Sequence, residues 1–274
     1  MAGPTVTGMA TLPNPLPRLA TDPSGRSLGL QLPPGRLVDE TDEGRWHEPL
    51  LWRADKPAAP GTWKALGAPA RRAGLLPVLV DAGGAMAGPE EWELCPGLMS
   101  YPGDHDAEEV LAEYWEEETG EEEEGLEPFG SVWPGLAGAC SLAADPDSRA
   151  ARVADVLTDG TRPWPKEPRL ALVPARRSAD IPAVIGWPGP LNYDSDVARL
   201  CAVLRSWEDR FGIRVTALGY DTLVVSVAAP PTSTAQAEAV AAEHFAFCPT
   251  DGTTTLREYA GELVGAPSWS FWWD

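Results

Sequence analysis

Residues 194–228 read DSDVARLCAVLRSWEDRFGIRVTALGYDTLVVSVA, and this stretch decides the fold class. Asp194 or Asp196 opens it as a helix start. Val197, Leu200, Cys201, Leu204, Trp207 and Phe211 then follow the i, i+3, i+4, i+7 spacing of an amphipathic helix, and Gly212 stops it. Two β-rich runs come next, Ile213–Leu218 and Thr222–Ala228. The Gly219-Tyr220-Asp221 turn between them predicts a hairpin.

Downstream, Pro230 and Pro231 break the chain. Ser233 with Gln236 predicts a capping box for a helix running to about Phe247. Thr255 with Glu258 predicts another, whose helix places Leu256, Tyr259, Leu263 and Val264 on one face. The chain ends in an aromatic, strand-like tail, Trp269-Ser270-Phe271-Trp272-Trp273-Asp274.

Upstream, Leu170–Val173 and Ala183–Trp187 read as strands, and Thr161–Pro168 reads as a proline-rich linker. A helix capped by Ser148 is expected to bury Val153, Ala154, Val156 and Leu157 and to end at Asp159-Gly160. Leu75–Asp81 is a continuous apolar run closed by Gly83 and Gly84, which suits a buried strand. Trp63, Leu66, Ala70 and Ala73 predict a short helix despite Pro69. Short apolar runs lie at Arg36–Asp39 and Pro49–Arg53.

The expected class is α+β: a mixed or antiparallel sheet with packed helices. It comprises a C-terminal α-β-β-α-α-β unit and an N-terminal α/β-like region. The divisions are a loose N-terminal arm at 1–34, an N-terminal region at 35–160, the 161–168 linker and a C-terminal domain at 169–274. A hydrophobic share of 43% in 274 residues supports a sizeable core.

Charge is the other strong signal. The formal net charge is −20, from 41 Asp and Glu against 21 Lys and Arg. It is concentrated: between Arg72 and Arg149 the sequence holds nineteen acids and no Lys or Arg, thirteen of them in residues 104–127. The remaining chain is nearly neutral. Such a balance argues against nucleic acid and anionic membrane surfaces as partners, and favours a basic protein surface. Within the acidic segment, Asp106 to Glu118 fits a helix with Val110, Leu111, Tyr114 and Trp115 on one face. Tyr114 and Trp115 among Glu116, Glu117 and Glu118 read either as a solvated helix or as aromatic anchors of a docking element. No apolar run reaches the length of a membrane span, and Met1–Leu12 lacks the pattern of a secretory signal. The four cysteines show no CxxC spacing, so a cytoplasmic protein with free thiols is expected.

Several segments of the last third resemble a known family. They are the helix with Trp207 and Phe211-Gly212, then Gly219-Tyr220-Asp221-Thr222-Leu223, then Pro230-Pro231. They continue in Ala242-Glu243-His244-Phe245-Ala246-Phe247-Cys248-Pro249 and the ending Trp269-Ser270-Phe271-Trp272-Trp273-Asp274. Together, over about residues 187–274, they resemble the bacterial domain of unknown function 4253 family. Thr250 here separates Cys248-Pro249 from Asp251, where the family pattern runs directly to an acid. The resemblance implies a domain type and no reaction.

Glu243, His244, Cys248 and Asp251 form the most chemical-looking cluster. His244 and Cys248 are four apart and share a helical face, as metal ligands or as a base–nucleophile pair would. Phe245 and Phe247 beside them favour plain core packing. Trp272 and Trp273 alternate along the final strand, so one enters the core and the other is free to anchor a partner. Asp221 with Tyr220 reads as turn chemistry. Phosphate-loop, dinucleotide-loop, nucleophile-elbow and zincin signatures are absent from the sequence. With three histidines, a histidine-rich metal site is not expected, and neither is a cofactor. The leading expectation is a non-catalytic, acidic interaction module binding a basic partner in an immunity-like or regulatory role. The alternative is an enzyme of unrecognised type at the Glu243 cluster.

Overall fold

The computed structural model describes residues 13–84, 86–119, 126–249 and 254–273. It is α+β. In chain order its strands and helices are β1 (Gly35–Val38), β2 (Glu40–Thr41), β3 (Gly44–Arg45), β4 (Leu51–Ala54), α1 (Thr62–Arg72), β5 (Leu76–Asp81), α2 (Ala107–Thr119) and α3 (Pro146–Thr158). Then follow β6 (Pro168–Val173), α4 (Ile181–Ile185), α5 (Val197–Phe211), β7 (Arg214–Leu218), β8 (Thr222–Ser226), α6 (Thr234–Phe247), α7 (Leu256–Leu263) and β9 (Ser268–Trp272).

Seven strands form one sheet in the order β1-β4-β6-β5-β7-β8-β9, while β2 and β3 make a separate small hairpin. All neighbours in the sheet are antiparallel except β5 and β7, which run parallel. The residues on either side of the expected 161–168 linker therefore share one sheet. That segment leads straight into β6, which is hydrogen-bonded on one side to β4 and on the other to β5. The reason is physical: Leu170–Val173 is apolar on both faces and needs cover from both neighbours and both layers.

Strand alternation divides the packing. Val78, Val80, Ala171, Val173, Val215, Val225, Trp269 and Phe271 face a large core built with α2, α5, α6 and α7. Leu79, Leu170, Ala217 and Val224 face the opposite side, where Trp63 and Leu66 of α1 meet Ala150, Val153 and Ala154 of α3. The molecule is thus a layer of helices on each face of a sheet.

Local signals explain the well-predicted helices. Asp196 caps α5, its side chain accepting from Ala198 N, and Gly212 ends it at φ 60°, a left-handed conformation that glycine adopts without strain. Thr255 and Glu258 form a full capping box on α7. On α6 Ser233 accepts from Gln236 N, but the Gln236 side chain turns to Thr232 instead of closing the box.

Four expectations are corrected. Ala183–Trp187 is not a strand: Pro182 sits in the first turn of α4 and Gly186 takes the left-handed C-cap at φ 65°. A Cβ on Gly186 would also lie 2.1 Å from Pro96 N, so the turn packs against backbone that only glycine admits. The cap of α3 is Asp145, which accepts from Ser148 N at 2.8 Å, with Pro146 at the first helical position. On α3, Val156 is exposed while Val153 and Ala154 are buried. Residues 13–34 of the expected loose arm are packed: Leu16, Leu19 and Leu30 are buried against Trp52, Leu75 and Leu172.

Candidate functional site

The cluster singled out on α6 is assembled at the centre of the larger core. Glu243 is fully buried. Its Oε1 accepts from Ala137 N at 2.6 Å and from Arg210 at 2.7 Å; its Oε2 accepts from Trp207 Nε1 at 2.7 Å and from Arg210 at 2.6 Å. The guanidinium grips the carboxylate with two parallel bonds, the strongest geometry available to that pair. Arg210 also donates to Ala137 O at 2.8 Å and to Ser206 Oγ at 3.0 Å. Glu243 thus clamps three parts of the chain: α5 through Trp207 and Arg210, α6, and the irregular segment around Ala137. Both carboxylate oxygens already accept two bonds each, so the group offers little to a substrate.

His244 is 2% exposed and ringed by aromatics, with centroid distances of 4.5 Å to Trp269 and 4.9 Å to both Trp207 and Phe271. Its Nδ1 is 2.9 Å from the Tyr259 hydroxyl and its Nε2 has no partner. Burial, and then the nearby Arg210 charge, depress its pKa from the ordinary 6.5 to about 3. The imidazole is neutral across the physiological range and is no proton shuttle there. Cys248 ends α6; its Sγ donates to Trp272 O at 3.1 Å, and burial pushes the thiol up to about 12. A thiol so protonated is a poor nucleophile. The arrangement serves to pack and hold the core. Asp251, the fourth residue of the cluster, lies outside the described residues. Among the described residues no group of three or more His, Cys, Asp or Glu is placed to hold a metal ion.

The His244 environment has a measurable consequence. The depressed folded pKa means that the unfolded chain takes up a proton near pH 6.5 while the native chain does not. Stability at this residue is therefore complete above about pH 6.5 and falls as pH drops toward 3, by up to roughly 1.4 kcal/mol per pH unit. Urea unfolding between pH 7 and 4 should show this slope, and His244→Gln should flatten it. An equal slope in the variant would assign the acid sensitivity to other groups.

The expected partner-binding residues divide. Tyr114 and Trp115 are not exposed anchors: they are 2% and 1% exposed. Tyr114 donates to Asp194, with Arg199 stacked over its ring, and Trp115 Nε1 donates to Ser131 O at 3.1 Å. Trp115 packs against Phe245 and Trp133. The amphipathic stripe of α2 faces α5 and α6 because a continuous apolar core awaits it there. Glu116 and Glu117 remain exposed on the outer face with Glu108 and Glu109, while Glu118, four residues after Tyr114 and seven after Leu111, is exposed at the helix end in line with the apolar stripe. Of the α2 glutamates, Glu113 pairs with Arg199 at 2.6 Å; among the described residues the other five have no ion pair. Partial burial, and then neighbouring Glu117, raise the pKa of Glu118.

At the other end of the chain Trp273 is buried against Trp187 and Phe247, whereas Trp272 is 56% exposed. Trp272 does not join the α2 surface. Trp269 and Phe271 point into the core that α5 and α6 share with α2, so alternation turns Trp272 to the opposite face.

Arg210 and Ala137 were not singled out by sequence reasoning. The only local hint was Arg210 one turn after Trp207, at the edge of the apolar stripe of α5. Nothing local links either residue to Glu243.

No curated protein and no solved structure matches the chain. No helix among the described residues is long and apolar enough to cross a membrane. The segment that builds most of the clamp, with α5, α6, the β7–β8 hairpin and the aromatic β9, is also the segment with a family likeness: residues 169–274, the C-terminal part of the chain, match the family model described as Domain of unknown function (DUF4253).

Proposed function

We propose that this protein is a non-catalytic interaction module of the bacterial cytoplasm that docks on a basic protein surface through the outer face of α2, in an immunity-like or regulatory role. The observation that carries the reading is the set Glu108, Glu109, Glu116, Glu117 and Glu118: five exposed carboxylates without an ion pair among the described residues. They stand on a helix whose apolar stripe is locked in the core. A rigid anionic ridge accelerates encounter with a cationic face and repels phosphate-rich surfaces. Because Tyr114 and Trp115 are internal, the ridge works by charge rather than by aromatic anchoring, so binding should weaken steeply with salt. The saturated bonds of Glu243, the neutral His244 and the protonated Cys248 support a structural part for the rival cluster.

The test compares the intact chain with a variant carrying Glu→Gln at positions 108, 109, 116, 117 and 118. Each is used to capture partners, and any complex is remade from purified components over a salt series. A basic partner should bind the intact chain with strong salt dependence, and the variant at least tenfold more weakly. A partner held equally by both chains, or none held by either, would overturn the reading.

A further inference from the structure

The sheet ends at β9, whose one strand neighbour is β8. Two bonds beyond the ladder fix its phase: Val227 N donates to Pro267 O at 2.8 Å and Trp273 N donates to Asp221 O at 3.0 Å. Hydrogen-bonded and non-bonded pairs alternate along an antiparallel ladder. Trp269 and Phe271 therefore bond inward to Val225 and Leu223, and Ser268, Ser270 and Trp272 turn their N–H and C=O groups outward. The Cys248 thiol resting on Trp272 O agrees with that phase, and a strand paired here would share that carbonyl, which has two lone pairs, with the thiol.

Natural sheet edges are guarded by charge, proline or bulges. The far edge, β1, has Arg36 within it and Pro33-Pro34 before it. The five residues of β9, SWSFW, include no charge and no proline, and their register with β8 is unbroken. The edge bears an exposed indole, Trp272, beside the small Ser268 and Ser270.

We propose that two copies of this chain pair antiparallel through β9, extending the sheet across a twofold axis at Ser270. Two features select a second copy as the occupant. The strand is self-complementary in this register. Ser270 meets the partner's Ser270, and each Trp272 lies opposite the partner's Ser268, a large side chain over a small one. The Trp269 and Phe271 positions alternate across the axis on the core side. The second feature is charge. Two chains of net charge −20 repel on most approaches, and the β9 strand itself presents no charge to a copy of itself. This pairing is independent of the α2 reading, since Trp272 and α2 lie on opposite faces of the sheet.

The experiment is sedimentation of the full chain over a dilution series, at low salt and at 1 M NaCl, where the screening length is about 3 Å. Hydrogen exchange is read at the Ser268 and Ser270 amides. The expected result is a monomer–dimer equilibrium strengthened by salt, with both amides more protected as concentration rises. Ser270→Lys sets two like charges face to face on the axis and should weaken the dimer at least tenfold. Because Ser270 is exposed, the variant should keep the melting temperature of the dilute, monomeric parent. Ser270→Pro, which deletes an outward N–H, is the second variant. A chain that stays monomeric throughout, or a dimer indifferent to Ser270→Lys, would overturn the proposal.

Discussion

Replacing Glu243 by Ala should lower the unfolding free energy by about 3–5 kcal/mol, the range for removing one partner of a buried ion pair. The loss exceeds that of the carboxylate alone. It leaves the Arg210 guanidinium without its counter-charge and two donors, Trp207 Nε1 and Ala137 N, without acceptors inside the core. Urea unfolding followed by tryptophan fluorescence measures the change. Replacing both partners with apolar residues, Glu243→Leu with Arg210→Met, should recover part of the loss, because the desolvation cost of the charges disappears with them while Trp207 Nε1 and Ala137 N stay without acceptors. A double variant no better than Glu243→Ala, or a single variant costing under about 1 kcal/mol, would contradict the clamp.

Trp115→Ala should be the next most damaging change, costing about 3–5 kcal/mol as a large-to-small substitution in a packed core and lowering the melting temperature by roughly 10 °C. The indole is buried between Phe245 and Trp133 and donates to Ser131 O, so its removal leaves a void and loses that bond. By the same reasoning, excising residues 104–127 takes Val110, Leu111, Tyr114 and Trp115 out of the core and should prevent folding. Near-ultraviolet circular dichroism and thermal melting distinguish the two parts of α2. The five-glutamine variant should melt at or slightly above the parent temperature, because it relieves repulsion on an exposed face. A Trp115→Ala chain with an unchanged melting temperature would show that α2 is not fastened to the body as described.

These two experiments separate what α2 does for the fold from what it offers to a partner. The sequence alone made those uses hard to tell apart. Spacing shows that Val110, Leu111, Tyr114 and Trp115 share a face. It does not show whether that face meets the protein's own core or another molecule, since both burials follow one pattern. The exposed acids are legible in the sequence because solvation of charge is a local preference.

By itself the sequence determined the elements whose signals are local. The α5 helix with its Asp196 cap and Gly212 stop, the β7–β8 hairpin, the span of α6, the capping box of α7 and the buried β5 all appear where side-chain periodicity and cap chemistry place them. Each rests on interactions within a few residues, which the chain carries wherever it goes. Only the tertiary structure decided the rest. It threaded β6 between β4 and β5, turned Ala183–Trp187 from an extended reading into the end of α4, and buried the chemical-looking Glu243, His244 and Cys248 in a saturated aromatic core. It also brought Arg210 and Ala137 to Glu243 across 33 and 106 residues of chain. Pairing over such separations is governed by which apolar faces can cover one another in space, and that is written in no local stretch of the sequence.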